Sequence, residues 1–299
     1  MTVTAIPPAV TPWQPLAPCE PETCVSPALT EASRARRVAR AVGAVTVLLG
    51  GVPVAMAARW MSMPRRGRIT RGWARLLLRA LGVKLEQTRG FAYVAGVPLL
   101  SAVPDTSGTL LVANHVSWMD PLVMAATMPC RPLAKSEVGE WPVIRTLARG
   151  AGALFIHRDQ LLTLPLAVAG VAGALRDGDT VVAFPEGTTW CGTDMGPFRP
   201  AVFQAALDAG AAVRPATIRY HEGPACSART SYVGGDSLVG SIARTIGTKD
   251  LTVTVTLFPP VRLTPAGRPH EARKALAGVA EAQVRTGLNP TPHHHQMIA

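Results

Sequence analysis

The strongest constraint on how this chain folds is a change of rhythm near residue 105. Beyond it, short apolar runs at 109–114, 131–135, 153–157, 180–184, 213–220 and 251–258 alternate with stretches of helical period at 121–128, 141–148, 162–176, 201–209, 238–246 and 270–286. Short apolar runs separated by helices are read as strands joined by crossover helices, which makes the sheet mostly parallel and covers it on both faces. The fold class expected is therefore α/β, a mostly parallel central sheet flanked by helices, with N-terminal membrane-associated helices before it. In such sheets ligands collect at the carboxyl ends of the strands, so chemistry is sought there. No internal repeat is evident.

The region upstream reads differently. Residues 1–33 are rich in Pro, Thr and Ala without a lasting period, and are expected to be a disordered tail. A secretory signal would need a basic start with an apolar run close behind it. Here the apolar run begins only around residue 41, so cleavage and secretion are not expected. Residues 41–58 are 18 positions without a charge, bounded by arginines on both sides. That is the lower limit for crossing a bilayer. A spanning or half-inserted anchor is one reading and a buried hairpin of the soluble domain is the other. The next stretch, 68–85, spaces Arg68, Arg71, Arg75 and Arg79 along one helix face, as in a helix lying on a membrane surface. The organisation expected is a tail over 1–33, anchoring helices over 34–85, an α/β domain over 86–288 and a tail over 289–299.

Thirty Lys and Arg against 19 Asp and Glu give a net charge of +11, so the surface expects anionic company. Twelve basic residues and no acidic one fall between Arg34 and Leu85, next to the apolar segment. This favours a membrane with anionic lipid over nucleic acid, and 5% aromatics also argue against a base-stacking surface. The five cysteines form no CxxC pair, so neither a disulfide scaffold nor a zinc site is expected. The run His293, His294 and His295 reads as part of a solvated tail.

Three stretches stand at expected strand ends. "LVANHVSWMDP" puts His115 and Asp120 just past the strand at 109–114. Asp120 followed by Pro121 is the pattern of a helix start. A carboxylate fixed there can also turn toward an imidazole five positions earlier, set its tautomer and stabilise the imidazolium, which is what a general base needs. "VVAFPEGTTW" supplies Glu186 and Gly187 at a sharp turn, where a backbone without a Cβ lets a ligand approach. "GALFIHR" ends in Arg158, whose guanidinium is suited to gripping a phosphate.

"NHVSWMD", "GALFIHR" and "FPEGTT", in this order and with "AKSEVGEWPVI" between the first two, resemble the glycerolipid acyltransferases, most closely the lysophosphatidate (1-acylglycerol-3-phosphate) acyltransferase type, over roughly residues 70–290. The resemblance implies transfer of a fatty acyl group from acyl-CoA or acyl carrier protein, as co-substrate, to a lysolipid hydroxyl. It makes His115 the general base and Asp120 its orienting partner. Lys135 and Arg158 match positions that bind the acceptor's phosphate, and Glu186, Gly187 and Thr188 match an acceptor-binding turn. Asn114 and Ser117, in the same block as the dyad, join the substrate-binding set, as does Arg199 in "GPFRPAVF". Neither metal, cofactor nor covalent acyl-enzyme is implied, and the active site is expected on the cytoplasmic side of a membrane.

The chain departs from the family pattern in places. Thr189 stands where many members have Arg or Ser, His157 where many have Asp, and Arg214 is unusual in the apolar strand "AAVRPATIRY". The expected activity is O-acylation of a lysophosphatidate-like acceptor. Two alternatives remain: the same chemistry on an acylated amino-acid lipid or glycolipid, and a catalytically silent lipid-binding relative.

Overall fold

A computed structural model describes residues 15–91, 108–157, 160–262 and 268–289. Its centre is a sheet of eight strands: β1 (Val83–Arg89), β2 (Thr109–Ala113), β3 (Arg131–Lys135), β4 (Leu154–Ile156), β5 (Thr180–Ala183), β6 (Ala212–Glu222), β7 (Ala225–Cys226) and β8 (Leu251–Leu257). The strands lie in the order β1-β8-β6-β2-β5-β3-β4, with β7 beside β6. From β6 to β4 every neighbouring pair is parallel, while β6 runs antiparallel to β8 and β7. The mostly parallel α/β class read from the sequence is thus the observed one.

The central strand shows why helices must cover both faces. Leu110 and Val112 point into one apolar cluster, Leu111 and Ala113 into the other, and all four are fully buried. On the first side lie α6 (Leu164–Arg176), α7 (Ala201–Ala209) and α9 (Pro269–Leu288), contributing Leu175, Phe203 and Leu276. The second is covered by α3 (Met63–Leu81) and α4 (Asp120–Thr127), with Leu78 and Met124. Two further helices, α5 (Pro142–Gly150) and α8 (Leu238–Gly247), the single turn α1 (Pro21–Cys24) and α2 (Arg34–Ala58) are the other α-helices among the described residues.

Helix α2 (Arg34–Ala58) is longer than the uncharged run and takes in Arg34, Arg36, Arg37 and Arg40. By length and composition it is the one helix among the described residues apolar enough to cross a membrane. Val38, Val42, Val45 and Leu49, spaced four, three and four apart, form an exposed apolar stripe. The opposite face is built for close packing: Gly51 and Ala55 meet Trp73 and Gly150, and the Trp73 indole donates to the Val47 carbonyl at 3.0 Å.

Three expectations need correction. The helix expected over 68–85 ends at Leu81, where Gly82 takes φ +82, and the chain turns into β1, paired in parallel with β8. A boundary at 85/86 therefore falls inside a strand, and Ala74, Leu77, Leu78 and Leu81 belong to the same core as Leu111 and Met124. Next, residues 15–33 of the expected disordered tail pack on the fold. Cys19 and Ala32 are buried, the Ala32 amide donates to Gly247 O at 2.8 Å, and the Leu29 amide donates to Glu222 Oε2 at 3.0 Å. Apolar contact and backbone pairing with distant elements replace the internal period that the segment lacks.

The third concerns the basic segment, read as facing anionic lipid, several of whose arginines bind carbonyls of the domain instead. Arg40 donates to the carbonyls of Ile246 (2.9 Å) and Thr248, at the end of α8. Arg66 donates to Gly150 O (3.1 Å) and Arg149 O (2.5 Å), at the end of α5. Arg75 donates to Ala126 O near the end of α4 at 2.9 Å. Helix C-termini leave carbonyls without partners and carry partial negative charge, so these cations fasten the N-terminal helices to the domain.

Candidate active site

The site forms where β2 ends in the middle of the sheet. Asn114 is the first residue past the strand. Its side chain receives the Ile218 amide at 2.8 Å and donates to the Ile218 carbonyl at 3.0 Å, extending the β2–β6 ladder by one rung. Buried and doubly bonded, Asn114 fixes the point from which the loop carrying His115 departs.

His115 follows with its ring stacked on Phe184, centroids 4.3 Å apart. Its Nδ1 lies 2.8 Å from Asp120 Oδ2. The same oxygen accepts from the amides of Val116 (2.6 Å) and Ser117 (2.8 Å). The other oxygen, Oδ1, accepts from the Tyr220 hydroxyl at 2.7 Å. A fully buried carboxylate is costly unless satisfied, and Asp120 has four donors. With Nδ1–H donating to Asp120, Nε2 carries the lone pair and is free to take a proton.

The Asp120-Pro121 pattern, with Asp120 expected as the helix cap, is shifted by one position. Met119 is the cap and Asp120 the first helical residue, with Pro121 next to it. Asp120 thus reaches back to the amides of the preceding turn, and one group both opens α4 and holds the imidazole. Ser117 is fully buried, with its hydroxyl facing the Met119 amide at 3.4 Å.

The turn after β5 braces this loop from the other side. Glu186 Oε1 accepts from the His115 amide at 2.6 Å and Oε2 from the Gly196 amide at 2.8 Å. Burial pushes its carboxyl up to about 8, against the two backbone N–H groups that pull it down. The Trp190 amide donates to His115 O at 2.8 Å and the Tyr232 amide to Val116 O at 3.0 Å. Thr189, where the family usually has Arg or Ser, hydrogen-bonds through its hydroxyl to the Tyr232 carbonyl.

Gly187 takes φ +77, and a Cβ there would lie 2.7 Å from Pro15 Cγ. Thr188 is half-buried next to it, and Arg199 is exposed with its alkyl chain beside Gly187. Lys135, at the end of β3, lies two strands away from His115, about 10 Å at the strand spacing, and pairs with Glu137 Oε1 at 3.1 Å. Arg158 lies outside the described residues.

The structure therefore gathers His115, Ser117, Asp120 and Glu186 into one hydrogen-bonded group, with Asn114 anchoring its start to β6 and Gly187, Thr188 and Arg199 on the adjoining turn. Sequence reasoning missed Tyr220. Burial and the Asp120 charge hold its phenol pKa well above the ordinary value, so it stays a donor. Its signal was the alternation of "AAVRPATIRY", which puts Ala216, Ile218 and Tyr220 on one face, but nothing in the sequence aligned that face with Asp120.

A family model described as Acyltransferase matches residues 97–219. The chain is 31% identical over 257 residues to the lyso-ornithine lipid O-acyltransferase of Pseudomonas aeruginosa, covering 81% of this chain and 90% of that protein. It is 37% identical over 150 residues to the 1-acyl-sn-glycerol-3-phosphate acyltransferase of Neisseria gonorrhoeae, where the match spans 50% of this chain and 58% of the relative. Among solved structures, the 1-acyl-sn-glycerophosphate acyltransferase of Thermotoga maritima superposes with a TM-score of 0.59 at 18% identity, covering 85% of this chain and 93% of that one, which bears on the fold alone. On the strength of the near full-length relative, the chain belongs to the acyltransferase family.

Proposed function

We propose that this protein is a membrane-associated lysolipid O-acyltransferase that moves a fatty acyl group from acyl-CoA or acyl carrier protein to a free acceptor hydroxyl. The observation that carries the reading is the His115–Asp120 pair, with Nδ1 engaged by a carboxylate that has three further donors. Nε2 takes the hydroxyl proton as the alkoxide oxygen attacks the thioester carbonyl. Asp120 stabilises the imidazolium, and collapse of the tetrahedral adduct expels the thiolate, which recovers a proton. The acyl group passes directly between substrates.

Two acceptors fit this chemistry, and the extent of similarity orders them. The relatives matched over most of this chain, 81% and 87%, are lyso-ornithine lipid O-acyltransferases. An acylated amino-acid lipid is therefore our first acceptor. A lysophosphatidate-like acceptor is the second, favoured by the 37% identity over the motif-bearing half. Either presents an anion, a carboxylate or a phosphate, and the exposed Arg199 beside the Gly187 turn is suited to it, with Lys135 and Arg158 as further candidates.

The exposed stripe on α2 and the remaining arginines of α2 and α3 suit binding to an anionic bilayer from its cytoplasmic side, where such lipids are concentrated. The test is thiol release from acyl-CoA and acyl carrier protein with lyso-ornithine lipid and lysophosphatidate in parallel, on the wild type and His115→Ala. Turnover with either acceptor that disappears in His115→Ala is expected. Near-normal turnover in that variant overturns the mechanism, and equal indifference to both acceptors overturns the substrate class.

A further inference from the structure

Two cysteines of the N-terminal segment meet a third from far along the chain beside the turn that carries Glu186. Cys19 and Cys24 flank and end α1, in the segment that packs on the fold, and Cys191 follows Trp190. Their sulfur atoms all lie within 4.8 Å of one another. Cys19 and Cys191 are buried, Cys24 is half-buried, and all three are free thiols. Around them are Val233, Ala17, Trp190 and Ala228, so the cluster sits in an apolar pocket. The polar neighbours are hydroxyls, Thr193 Oγ1 at 3.0 Å from the Cys191 sulfur and Thr23 Oγ1 at 3.7 Å from that of Cys24.

We propose that Cys19, Cys24 and Cys191 bind one thiophilic divalent ion of the zinc class, tying the N-terminal segment to the active-site turn. Zinc–sulfur bonds of about 2.3 Å in a tetrahedral arrangement set the sulfurs about 3.8 Å apart. The observed cluster therefore closes on an ion through displacements of about 1 Å or less, within reach of small rotations about χ1. Cys19 and Cys24 have the C-x4-C spacing of a ligand pair, and the third ligand arrives from a distant loop. On binding, each thiol gives up a proton, and the ion's two positive charges offset the charge of the thiolates. Three soft sulfur ligands select zinc-like ions over magnesium or calcium. The fourth position is left to water.

The placement gives the ion a mechanical role. Cys191 is adjacent to Trp190, whose amide holds the His115 carbonyl, and Pro15, four residues before Cys19, rests on Gly187. A metal there would pin the segment that overlies the turn.

The test uses the full-length protein, reduced, stripped with a chelator and titrated with Co²⁺ as a spectroscopic probe. One ion per chain with thiolate-to-cobalt charge-transfer absorption is expected, displaced by one equivalent of Zn²⁺. The bands should persist when His293, His294 and His295 are all changed to Ala, and in Cys130→Ser and Cys226→Ser. Cys24→Ser and Cys191→Ser should each weaken binding by about 100-fold or more, since even outer-shell partners of a metal are worth about 10–100-fold. Cys24 is only half-buried, so its variant keeps the measurement interpretable if Cys191→Ser fails to fold, with circular dichroism as the check. Absence of the charge-transfer bands, or cobalt affinity in Cys24→Ser equal to that of the wild type, overturns the proposal. So does a Cys19–Cys191 disulfide found in the air-exposed protein whose reduction is not followed by uptake of the ion.

Discussion

The Tyr220 hydroxyl donates to Asp120 Oδ1 at 2.7 Å, on the carboxylate oxygen that His115 leaves free. The dyad is thus the visible part of a buried chain running from β6 through Asp120 to the imidazole. Tyr220→Phe removes a hydrogen bond to a charged group, worth about 1.5–3 kcal/mol, and leaves Oδ1 without its donor. We expect a lower midpoint in urea unfolding and reduced kcat with KM for the acyl donor little changed. A variant with wild-type kcat would show that Tyr220 serves stability alone.

Asp120→Asn keeps the size of the side chain while removing the charge that fixes the tautomer. Its amide nitrogen would also face donors at Val116 or Ser117, which now serve the carboxylate. Turnover should fall by about 10²–10⁴-fold, the range that positioned acid–base groups contribute. Single-turnover thiol release measures it.

Glu186 gives the protein a pH-dependent stability. Its folded-state value of about 8 lies above the ordinary 4.5, so between these limits the folded state holds a proton that the unfolded state has lost. The contribution is therefore fully present below about pH 4.5, declines by about 1.4 kcal/mol per unit as pH rises, and is lost by about pH 8. Urea midpoints across pH 5–8 should slope downward, and Glu186→Gln should flatten that slope. An unchanged slope in the variant would assign it to another group.

Gly187→Ala meets two obstacles at once. A Cβ at φ +77 costs about 1–2 kcal/mol in backbone energy alone, and it would also strike Pro15. We expect lower activity together with faster proteolysis within residues 15–33, read by limited digestion. Lower activity with unchanged digestion would separate the turn from the segment above it.

The apolar stripe of α2 can be tested without touching the site. Val45 and Leu49 are both about half exposed in the structure, and burying such side chains is worth about 1.5–3 kcal/mol each. Val45→Asp with Leu49→Asp should reduce sedimentation with vesicles containing anionic lipid by more than about tenfold, while thiol release from a short-chain, soluble donor persists.

Most of the catalytic layout was legible in the sequence because strand and helix periods are local. The run at 131–135 matches β3 at both ends, and 201–209 matches α7. His115, Asp120 and Glu186 stand at strand ends where the motifs put them. What the sequence hid depends on contacts between distant segments. Strand β1 continues an amphipathic helix without a change in composition, and only its pairing with β8 makes it a strand. Asn114 and Tyr220 acquire their roles from partners about a hundred positions away, Ile218 on β6 and Asp120 at the start of α4. Cys19 and Cys24 look unremarkable until the fold carries Cys191 to them.

Fastening α2 and α3 to the domain through Arg40, Arg66 and Arg75, and sharing a core with them, has a consequence for how the enzyme meets its lipid. A truncation beginning at residue 86 would strip one face of the sheet and free carbonyls at three helix ends, so it should precipitate rather than yield a soluble catalytic half. With α2 seated on a bilayer, the height of His115 above the lipid surface is then set by rigid packing. On the proposed mechanism the acceptor hydroxyl would have to rise to that fixed height, which would make the depth of the hydroxyl within its lipid a criterion of selection alongside headgroup charge.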